Sequence, residues 1–396
     1  MNRTEAYLAL NLLPRIGPVR VRRLVKALGS PERILSASEA DLRRVEGIGA
    51  DLASHLRDWE NQIDLAEEWR RIESHEIHLL TVDNDDYPEY LREIHDAPFL
   101  LYVKGNLTTR DRQCIGVVGS RRATHYGQQA ARKLSYQLAH AGITVVSGLA
   151  RGIDTAAHEA ALAAGGRTLA VLGAGIGHLY PPENAALADR IVGSGALLSE
   201  YPVLYVPDAQ SFAMRNRIIS GLSQGVLVVE APTRSGALIT ANQALEQGRT
   251  VYAVPGPIDR PTSAGCNRLI QQGAKLTMDA GDILEDLEML FPVASLARPR
   301  ATEVAADDEL DFSSQEDDGG AVVSETKRPS AAVMAAGMLS GDEQSLLAEL
   351  SSSGVQIEEL TARTGLAAST VSTTLLMLEM KRLVKQLPGK GFVRVG

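Results

Sequence analysis

Between about residues 110 and 290 the hydrophobic positions form short apolar runs, separated by longer Ala-rich amphipathic stretches. Such an alternation is typical of parallel strands that are buried on both faces of a three-layer α/β domain. The predicted strands are residues 114–118, 143–147, 167–172, 195–199, 226–229 and 250–254, and the clearest predicted helices are residues 128–140, 155–164 and 237–247. The pattern therefore predicts an α/β fold with a parallel, Rossmann-like sheet at its core.

Residues 1–75 have a helical pattern that occurs twice. In "LPRIGPVRVRRL" and again in "VEGIGADLASHL", an Ile-Gly pair precedes an amphipathic stretch at the same spacing. The doubled pattern resembles a tandem helix-hairpin-helix (SAM-like) domain, whose hairpins present backbone N–H groups to a nucleic-acid phosphate. The full hairpin motif occurs only at Gly47-Ile48-Gly49, because Arg15 stands in place of the first glycine of the first copy. A small helical domain that contacts protein fits the region equally well, so both interpretations stay open.

The last hundred residues divide into two segments of different composition. Residues 292–338 are rich in Pro, Ala, Ser, Gly and acidic residues and have no periodic apolar positions, which predicts an acidic, disordered linker. Residues 339–396 contain three helical segments followed by the hairpin-like "VKQLPGKGFVRV". Three helices and a hairpin predict a winged-helix domain. Its third helix has few basic residues, so a protein-contact or regulatory role is favoured over the reading of DNA bases.

The charge distribution is compatible with an anionic ligand despite a net charge of −9. Eight acidic residues without a Lys or Arg lie between residues 303 and 318 and account for nearly all of the excess. The rest of the chain is therefore close to neutral and can carry a basic patch. With only two cysteines, a disulfide framework and a cysteine-based zinc site are excluded. No apolar stretch reaches the ~20 residues of a membrane span, so we expect a cytoplasmic protein without a membrane partner.

Four segments with unusual residues fall where predicted strands end, at the edge where such sheets bind their ligands. They are "GSRRAT" at 119–124, "SGLARGID" at 147–154, "SFAMRNRIISG" at 211–221 and "EAPTRSGALITA" at 230–241. Each combines small residues with arginine, whose guanidinium suits phosphate oxygens. Phe212, one of five phenylalanines, lies in such a polar stretch and is a candidate platform for stacking a base. The four segments together predict a phosphate-binding site.

Other site chemistries lack their motifs. "LGAGIGHLYPPE" at 172–183 has the spacing G-x-G-x-G on the third predicted strand, which does not match a dinucleotide fingerprint. No P-loop, nucleophile elbow or metal-ligand spacing occurs in the sequence. We therefore predict no catalytic residue, no cofactor and no metal.

The motifs "GVVGSRRAT", "VVSGLARGIDTAAHEAAL", "FAMRNRIISGLSQGVLVVEA" and "SGALITANQALEQGRTVYAVPG", in this order, resemble the DNA-processing protein A family (DprA, also called Smf). The resemblance implies an extended Rossmann-like domain, over residues 76–291, that binds single-stranded DNA. It also implies a homodimer that protects incoming DNA and loads the RecA recombinase on it during natural transformation.

The resemblance also implies which residues bind the DNA. Gly119, Ser120 and Arg121, followed by Arg122, match the phosphate loop of the family. Further residues match segments beside the bound strand or lining the same pocket: Phe212, Arg215, Asn216, Arg217, Ser147, Gly148, Arg151, Ser235 and Gly236. For the dimer interface we predict residues 265–278, where the apolar side chains are Leu269, Ile270, Leu276 and Met278. The same side chains could instead complete the core.

An enzyme is the main alternative. The predicted sheet also resembles that of the nucleotide phosphoribohydrolases with a lysine-decarboxylase-like fold, which cleave the base from a nucleoside monophosphate. Those enzymes carry a P-G-G-x-G-T-x-x-E motif, where this chain has "APTRSGALITA" without the glycine run and the glutamate. A DNA-binding protein without catalytic activity is therefore the favoured interpretation.

Overall fold

The structure, a computed structural model, describes residues 1–290 continuously and then separate stretches between residues 345 and 394. It divides into two compact units, Met1–Ala306 and Asp307–Gly396. The predicted linker at 292–338 lies outside the described residues. Every helix among the described residues is too short or too polar to cross a bilayer.

The first unit begins with helices that form two similar hairpins. The helices are α1 (Arg3–Leu12), α2 (Pro18–Leu28), α3 (Pro31–Ser36), α4 (Glu39–Arg43), α5 (Ala50–Arg57) and α6 (Leu65–Ser74). Gly17 and Gly49 are the N-cap residues of α2 and α5, the second helix of each hairpin. In the turns before them, Arg15 and Gly47 occupy equivalent positions, with φ of 67° and 85°. Arg15 therefore adopts the left-handed backbone that the motif normally gives to glycine.

A nine-stranded sheet forms the centre of the first unit. Its strands are β1 (His78–Thr81), β2 (Leu100–Gly105), β3 (Cys114–Val118), β4 (Thr144–Ser147), β5 (Thr168–Leu172), β6 (Ala196–Ser199), β7 (Gly225–Val228), β8 (Thr250–Ala253) and β9 (Lys275–Leu276). The spatial order is β1-β2-β6-β5-β4-β3-β7-β8-β9. The strands from β6 to β9 in this order pair in parallel, and β1 and β2 are antiparallel additions at one edge.

Helices cover both faces of the sheet. They are α7 (Glu89–Glu93), α8 (His125–His140), α9 (Ile153–Ala163), α10 (Ala185–Ser194), α11 (Ala209–Leu222), α12 (Gly236–Glu246), α13 (Ala264–Gln271) and α14 (Gly281–Leu290). One buried cluster joins α8, α9 and α14 to the sheet, and another joins α7, α11, α12 and α13 to it. The three-layer prediction is confirmed. The segment 211–221, expected as a strand-end loop, is instead part of α11, which Asp208 caps.

The N-terminal helices pack directly on this sheet. Tyr7 and Leu10 of α1 lie in the same buried cluster as Leu100 and Tyr102 of β2. The Tyr7 hydroxyl also donates to Asp83 over 2.9 Å. The helical region and the sheet therefore share one hydrophobic core.

The predicted dimer patch separates into two parts. Leu269 of α13 is 5% exposed and belongs to the core, and Ile270 is partly buried against it. Leu276 and Met278 are 42% and 67% exposed at the edge formed by β9. The expectation that Leu269 offers surface for a partner is wrong, because α13 turns this side chain toward the sheet.

The second unit contains a small antiparallel sheet. The described elements are β10 (Val355–Gln356), α15 (Ile357–Thr364), β11 (Val384–Leu387) and β12 (Gly391–Arg394), with strand order β10-β12-β11. Leu360, Val384 and Phe392 belong to one buried cluster. The predicted second helix and the hairpin strands are confirmed, whereas the other two helical segments and the hairpin tip lie largely outside the described residues.

Candidate nucleic-acid interface

A cleft of about 340 Å³ opens at the carboxyl ends of the central strands. It lies where the strand order reverses between β3 and β7, the position at which open α/β sheets bind ligands. Seven of the thirteen site residues expected from the sequence line it: Gly119, Arg121, Phe212, Arg215, Asn216, Ser235 and Gly236. All four strand-end segments therefore contribute to one cavity. The segment after β4 contributes Ala150 and Asp154.

Hydrogen bonds to Glu230 hold the loop between β3 and α8 in place. The Ser120 amide donates to the Glu230 carbonyl over 2.7 Å, and the buried Glu230 carboxylate accepts from the Thr124 amide and hydroxyl at 3.0 and 2.9 Å. Gly119 is required here, because a Cβ would lie 2.5 Å from Ile153 Cγ1. These bonds hold the loop in place while Arg121 stays exposed at the cleft.

The loop between β4 and α9 is fixed by its own buried side chains. The Ser147 hydroxyl donates to the Val117 carbonyl over 2.6 Å and is fully buried, so it does not face the cleft as the sequence suggested. The Asp154 carboxylate accepts from the Gly148 and Ala150 amides at 3.1 and 3.4 Å. Burial raises the pKa of Asp154, and the nearby Arg215 guanidinium opposes that shift. Asp154 therefore holds the loop, although it also lines the cleft.

Helix α11 contributes one wall of the cleft. Phe212, half-buried, and Asn216 line it, and the Asn216 side-chain amide reaches the Gly236 carbonyl at 3.4 Å. Arg215 is 3% exposed and donates to the Val171 carbonyl, and burial lowers the pKa of its guanidinium to about 10. Gly148 leaves room for this guanidinium, since a Cβ would lie 1.7 Å from Arg215 Nη1.

Arg217, although expected beside the DNA, does not line the cleft. It is 2% exposed, and its Nη2 donates to both Glu200 carboxylate oxygens at 2.6 and 2.7 Å. Its Nε lies 3.1 Å from an Asp96 oxygen. The sequence expectation for Arg217 is therefore corrected, because α11 buries this side chain against Glu200 and Asp96, which match its charge inside the protein.

One helix N-terminus adds positive potential to the cleft. Helix α12 begins at Gly236, and its Ser235 cap accepts from the Ala237 amide over 3.2 Å. The first N–H groups of a helix have no intrahelical acceptor and carry a partial positive charge, so they favour an anion. Helix α9 also begins beside the cleft, but its Ile153 amide donates to the Ser120 carbonyl and the Asp154 carboxylate lies in its first turn. The cleft can therefore hold a phosphate against the α12 N-terminus and Arg121.

The outer rim of the cleft is a row of aromatic and charged side chains. The Arg121 guanidinium lies 5.0 Å from the Phe212 ring centroid, and the Phe212 and Tyr180 centroids are 5.5 Å apart. The Arg151 guanidinium is 5.9 Å from the Tyr180 centroid and forms an ion pair with Glu183.

The sequence motifs do not point to Tyr180 and Glu183, because the segment 172–183 matches no known fingerprint. A tyrosine just after the third strand is the one signal in the sequence for a side chain at this rim. Ser120 and Arg122 lie on the β3 loop outside the main cavity, and the Arg122 amide donates to the Ser120 hydroxyl oxygen over 3.1 Å. Gly148 and Arg151 line a smaller adjoining cavity.

The buried histidine near the cleft has a structural role. His158 Nε2 accepts from the Leu149 amide over 3.3 Å, and its Nδ1 lies 2.7 Å from the Thr168 hydroxyl. Burial lowers the pKa of His158 to about 3, so the ring is neutral at physiological pH. Within the described residues no cluster of His, Cys, Asp and Glu could hold a metal ion.

Comparison with protein families matches three parts of the chain. The model for DNA recombination-mediator protein A matches residues 78–288, a DprA winged helix domain matches residues 328–390, and a SAM-like helix-hairpin-helix tandem matches residues 8–58. These matches confirm the helix-hairpin-helix and winged-helix predictions.

Individual proteins show the same relation. Protein Smf of Synechocystis is 35% identical over 99% of both chains. DNA processing protein DprA of Bacillus subtilis is 47% identical over 53% of this chain and 71% of the relative. The X-ray structure of DNA processing protein A from Streptococcus pneumoniae is 36% identical, with a TM-score of 0.65 over 72% of this chain and 99% of that one.

Proposed function

The chain belongs to the DNA recombination-mediator protein A family, and we propose that it binds single-stranded DNA with little sequence preference in the cleft described above. One observation carries the proposal. The cleft combines exposed Arg121 and the N-terminus of α12 with the half-buried Phe212 ring. A phosphate suits the first group and a nucleobase suits the ring, and every base has a face that can stack.

Strand selectivity follows from the position of the ring. Phe212 lies inside a cleft of about 340 Å³, so a base must leave its neighbours to reach it. A single strand unstacks its bases at little cost, whereas a duplex must also break pairs. We therefore expect single strands to bind more tightly than duplexes of equal length.

The cellular role we propose is that of a recombination mediator. The bound strand is protected and handed to the RecA recombinase during natural transformation, in the cytoplasm. We also propose a homodimer that places two clefts on one strand, which raises avidity ~100-fold or more without new contacts. The exposed Leu276 and Met278 at the β9 edge are its proposed interface, and the buried Leu269 is not part of it.

We assign no reaction to the cleft. Its acidic neighbours Asp154 and Glu230 are only 6% and 2% exposed, and each holds a loop through one carboxylate oxygen. A hydrolase needs a carboxylate that can reach the substrate. These bonds therefore support a binding protein over a nucleotide phosphoribohydrolase.

Fluorescence anisotropy with a labelled oligothymidine tests the binding proposal. We expect Arg121→Ala to weaken binding about 10- to 100-fold, the value of a hydrogen-bonded charge. Each phosphate contact should add ~−0.7 to the slope of log affinity against log salt. Arg190→Ala is the matched control, because Arg190 is exposed on α10 and its guanidinium has no partner among the described residues. Equal losses in both variants, or equal affinity for duplex, would refute the proposal.

A further inference from the structure

We infer that Arg151, Tyr180 and Glu183 form a second nucleotide subsite, which takes the nucleotide next to the one in the main cleft. This inference rests on the proposed function, since it concerns the same bound strand. It assigns a role to Tyr180 and Glu183, which the sequence motifs did not single out.

The geometry repeats that of the main cleft. The Phe212 and Tyr180 rings are neighbours, with centroids 5.5 Å apart and planes inclined by 51°. Each ring has one guanidinium near its face, Arg121 at 5.0 Å from Phe212 and Arg151 at 5.9 Å from Tyr180. One ring and one arginine can serve the base and phosphate of one nucleotide. Two such pairs side by side therefore suit two successive nucleotides.

The second base must stack on the outside of Tyr180. The cavity between the two rings holds only about 20 Å³, roughly the room of one water molecule and far less than a base needs. Tyr180 is 39% exposed, so part of its side chain is accessible to a base from the solvent side. The same small cavity is lined by Arg121 and Phe212, which makes the second subsite continuous with the first.

Glu183 occupies the phosphate position of this subsite in the free protein. Its carboxylate forms an ion pair with Arg151 Nε, and the two side chains are 48% and 53% exposed. Exposed ion pairs contribute little stability, so a DNA phosphate can displace the carboxylate easily. An isolated anion must also displace Glu183 from Arg151, but it gains nothing from stacking on Tyr180. Glu183 therefore lowers the affinity of Arg151 for isolated anions.

Competition against a labelled oligothymidine tests the role of Tyr180. We expect Tyr180→Leu to weaken an oligothymidine about tenfold and to leave competition by thymidine monophosphate unchanged. Phe212→Leu should weaken both ligands, and Tyr180→Phe should behave as wild type. Tyr136→Leu is the matched control, because Tyr136 is similarly exposed, at 38%, on α8. An unchanged affinity for the oligonucleotide in Tyr180→Leu, or equal losses for both ligands, overturns the subsite.

A double-mutant cycle tests the role of Glu183. Glu183→Gln should tighten oligonucleotide binding and steepen the salt slope by up to about 0.7, because the phosphate then releases a counterion without freeing a carboxylate that takes one up. The gain should vanish in the Arg151→Gln background. Glu159→Gln, which breaks the exposed pair of Glu159 with Arg132, controls for a general loss of negative charge. A gain that persists without Arg151, or that Glu159→Gln reproduces, overturns the masking role.

The two proposals fail in different ways. If the wild-type protein binds no single-stranded oligonucleotide, both fall together. If it binds, and Phe212→Leu weakens it while Tyr180→Leu does not, only the second subsite falls.

Discussion

Replacing Arg217 by methionine is expected to destabilise the protein without removing a contact to DNA. Arg217 is 2% exposed and joins α11 to Glu200 and Asp96, whose side chains are 12% and 33% exposed. Methionine fills a similar volume but leaves the Glu200 carboxylate in the interior without its bidentate partner. The variant therefore distinguishes two roles for Arg217, the positioning of α11 and the binding of phosphate.

The expected loss is large. Removing one partner of a buried ion pair costs about 3–5 kcal/mol, which corresponds to a fall in melting temperature on the order of 10 °C for a unit of this size. The loss should depend on pH. Burial already raises the pKa of Glu200, and Arg217 opposes that shift, so the variant raises the pKa further. The Glu200 carboxyl then has a higher pKa in the folded state than its ordinary value of 4.5. The folded state therefore loses stability as pH rises from 4.5 through the folded-state pKa.

Thermal melts at about pH 5 and about pH 8 measure this dependence. We expect the difference between wild type and Arg217→Met to be greater at the higher pH, and Glu200→Gln to restore part of it there. At a temperature below both transitions, the affinity for oligothymidine should stay within about threefold of wild type, less than the loss from a missing charged contact. A variant with wild-type melting and a binding loss as large as that of Arg121→Ala would refute this reasoning.

Three further expectations concern assembly, domain independence and chemistry. Met278→Glu should convert a dimer into a monomer in light scattering. Leu245→Glu should not, because this side chain is 57% exposed on α12, outside the proposed interface. A wild-type monomer at all concentrations would contradict the dimer. Deleting residues 292–396 should leave a folded protein that binds oligothymidine, because residues up to Leu287 complete the three buried clusters of the first unit; aggregation on truncation would contradict this. Incubation with AMP should release no adenine in a chromatographic assay, and release that Arg121→Ala abolishes would favour the hydrolase.

The parallel strands could be predicted from the sequence because they are buried on both faces. Runs such as residues 114–118 are apolar throughout, and their position is unambiguous. The pattern does not predict β1 and β2, because they join the sheet as antiparallel strands outside the regular alternation of strand and helix. Two-residue β9 is too short to leave any pattern.

The candidate site could be located from the sequence but not resolved atom by atom. Glycine, serine and arginine at strand ends predicted the cleft, since parallel strands bring their carboxyl ends together. Burial of polar side chains was not predictable, because a buried Arg217 and an exposed Arg121 look alike in a sequence. The Ser147 hydroxyl likewise satisfies a backbone carbonyl that only the pairing of β3 with β4 brings near.

Photo-crosslinking tests the central claim most directly, because it identifies the residue that touches a base. An oligothymidine carrying 5-iododeoxyuridine is irradiated on the wild-type protein, and the linked peptide is identified by mass spectrometry. We expect the crosslink at Phe212, with Tyr180 as the second site, and its loss in Phe212→Leu. Crosslinks confined to the N-terminal helices, where Trp59 and Trp69 offer aromatic side chains of their own, would contradict the claim that the cleft binds the strand.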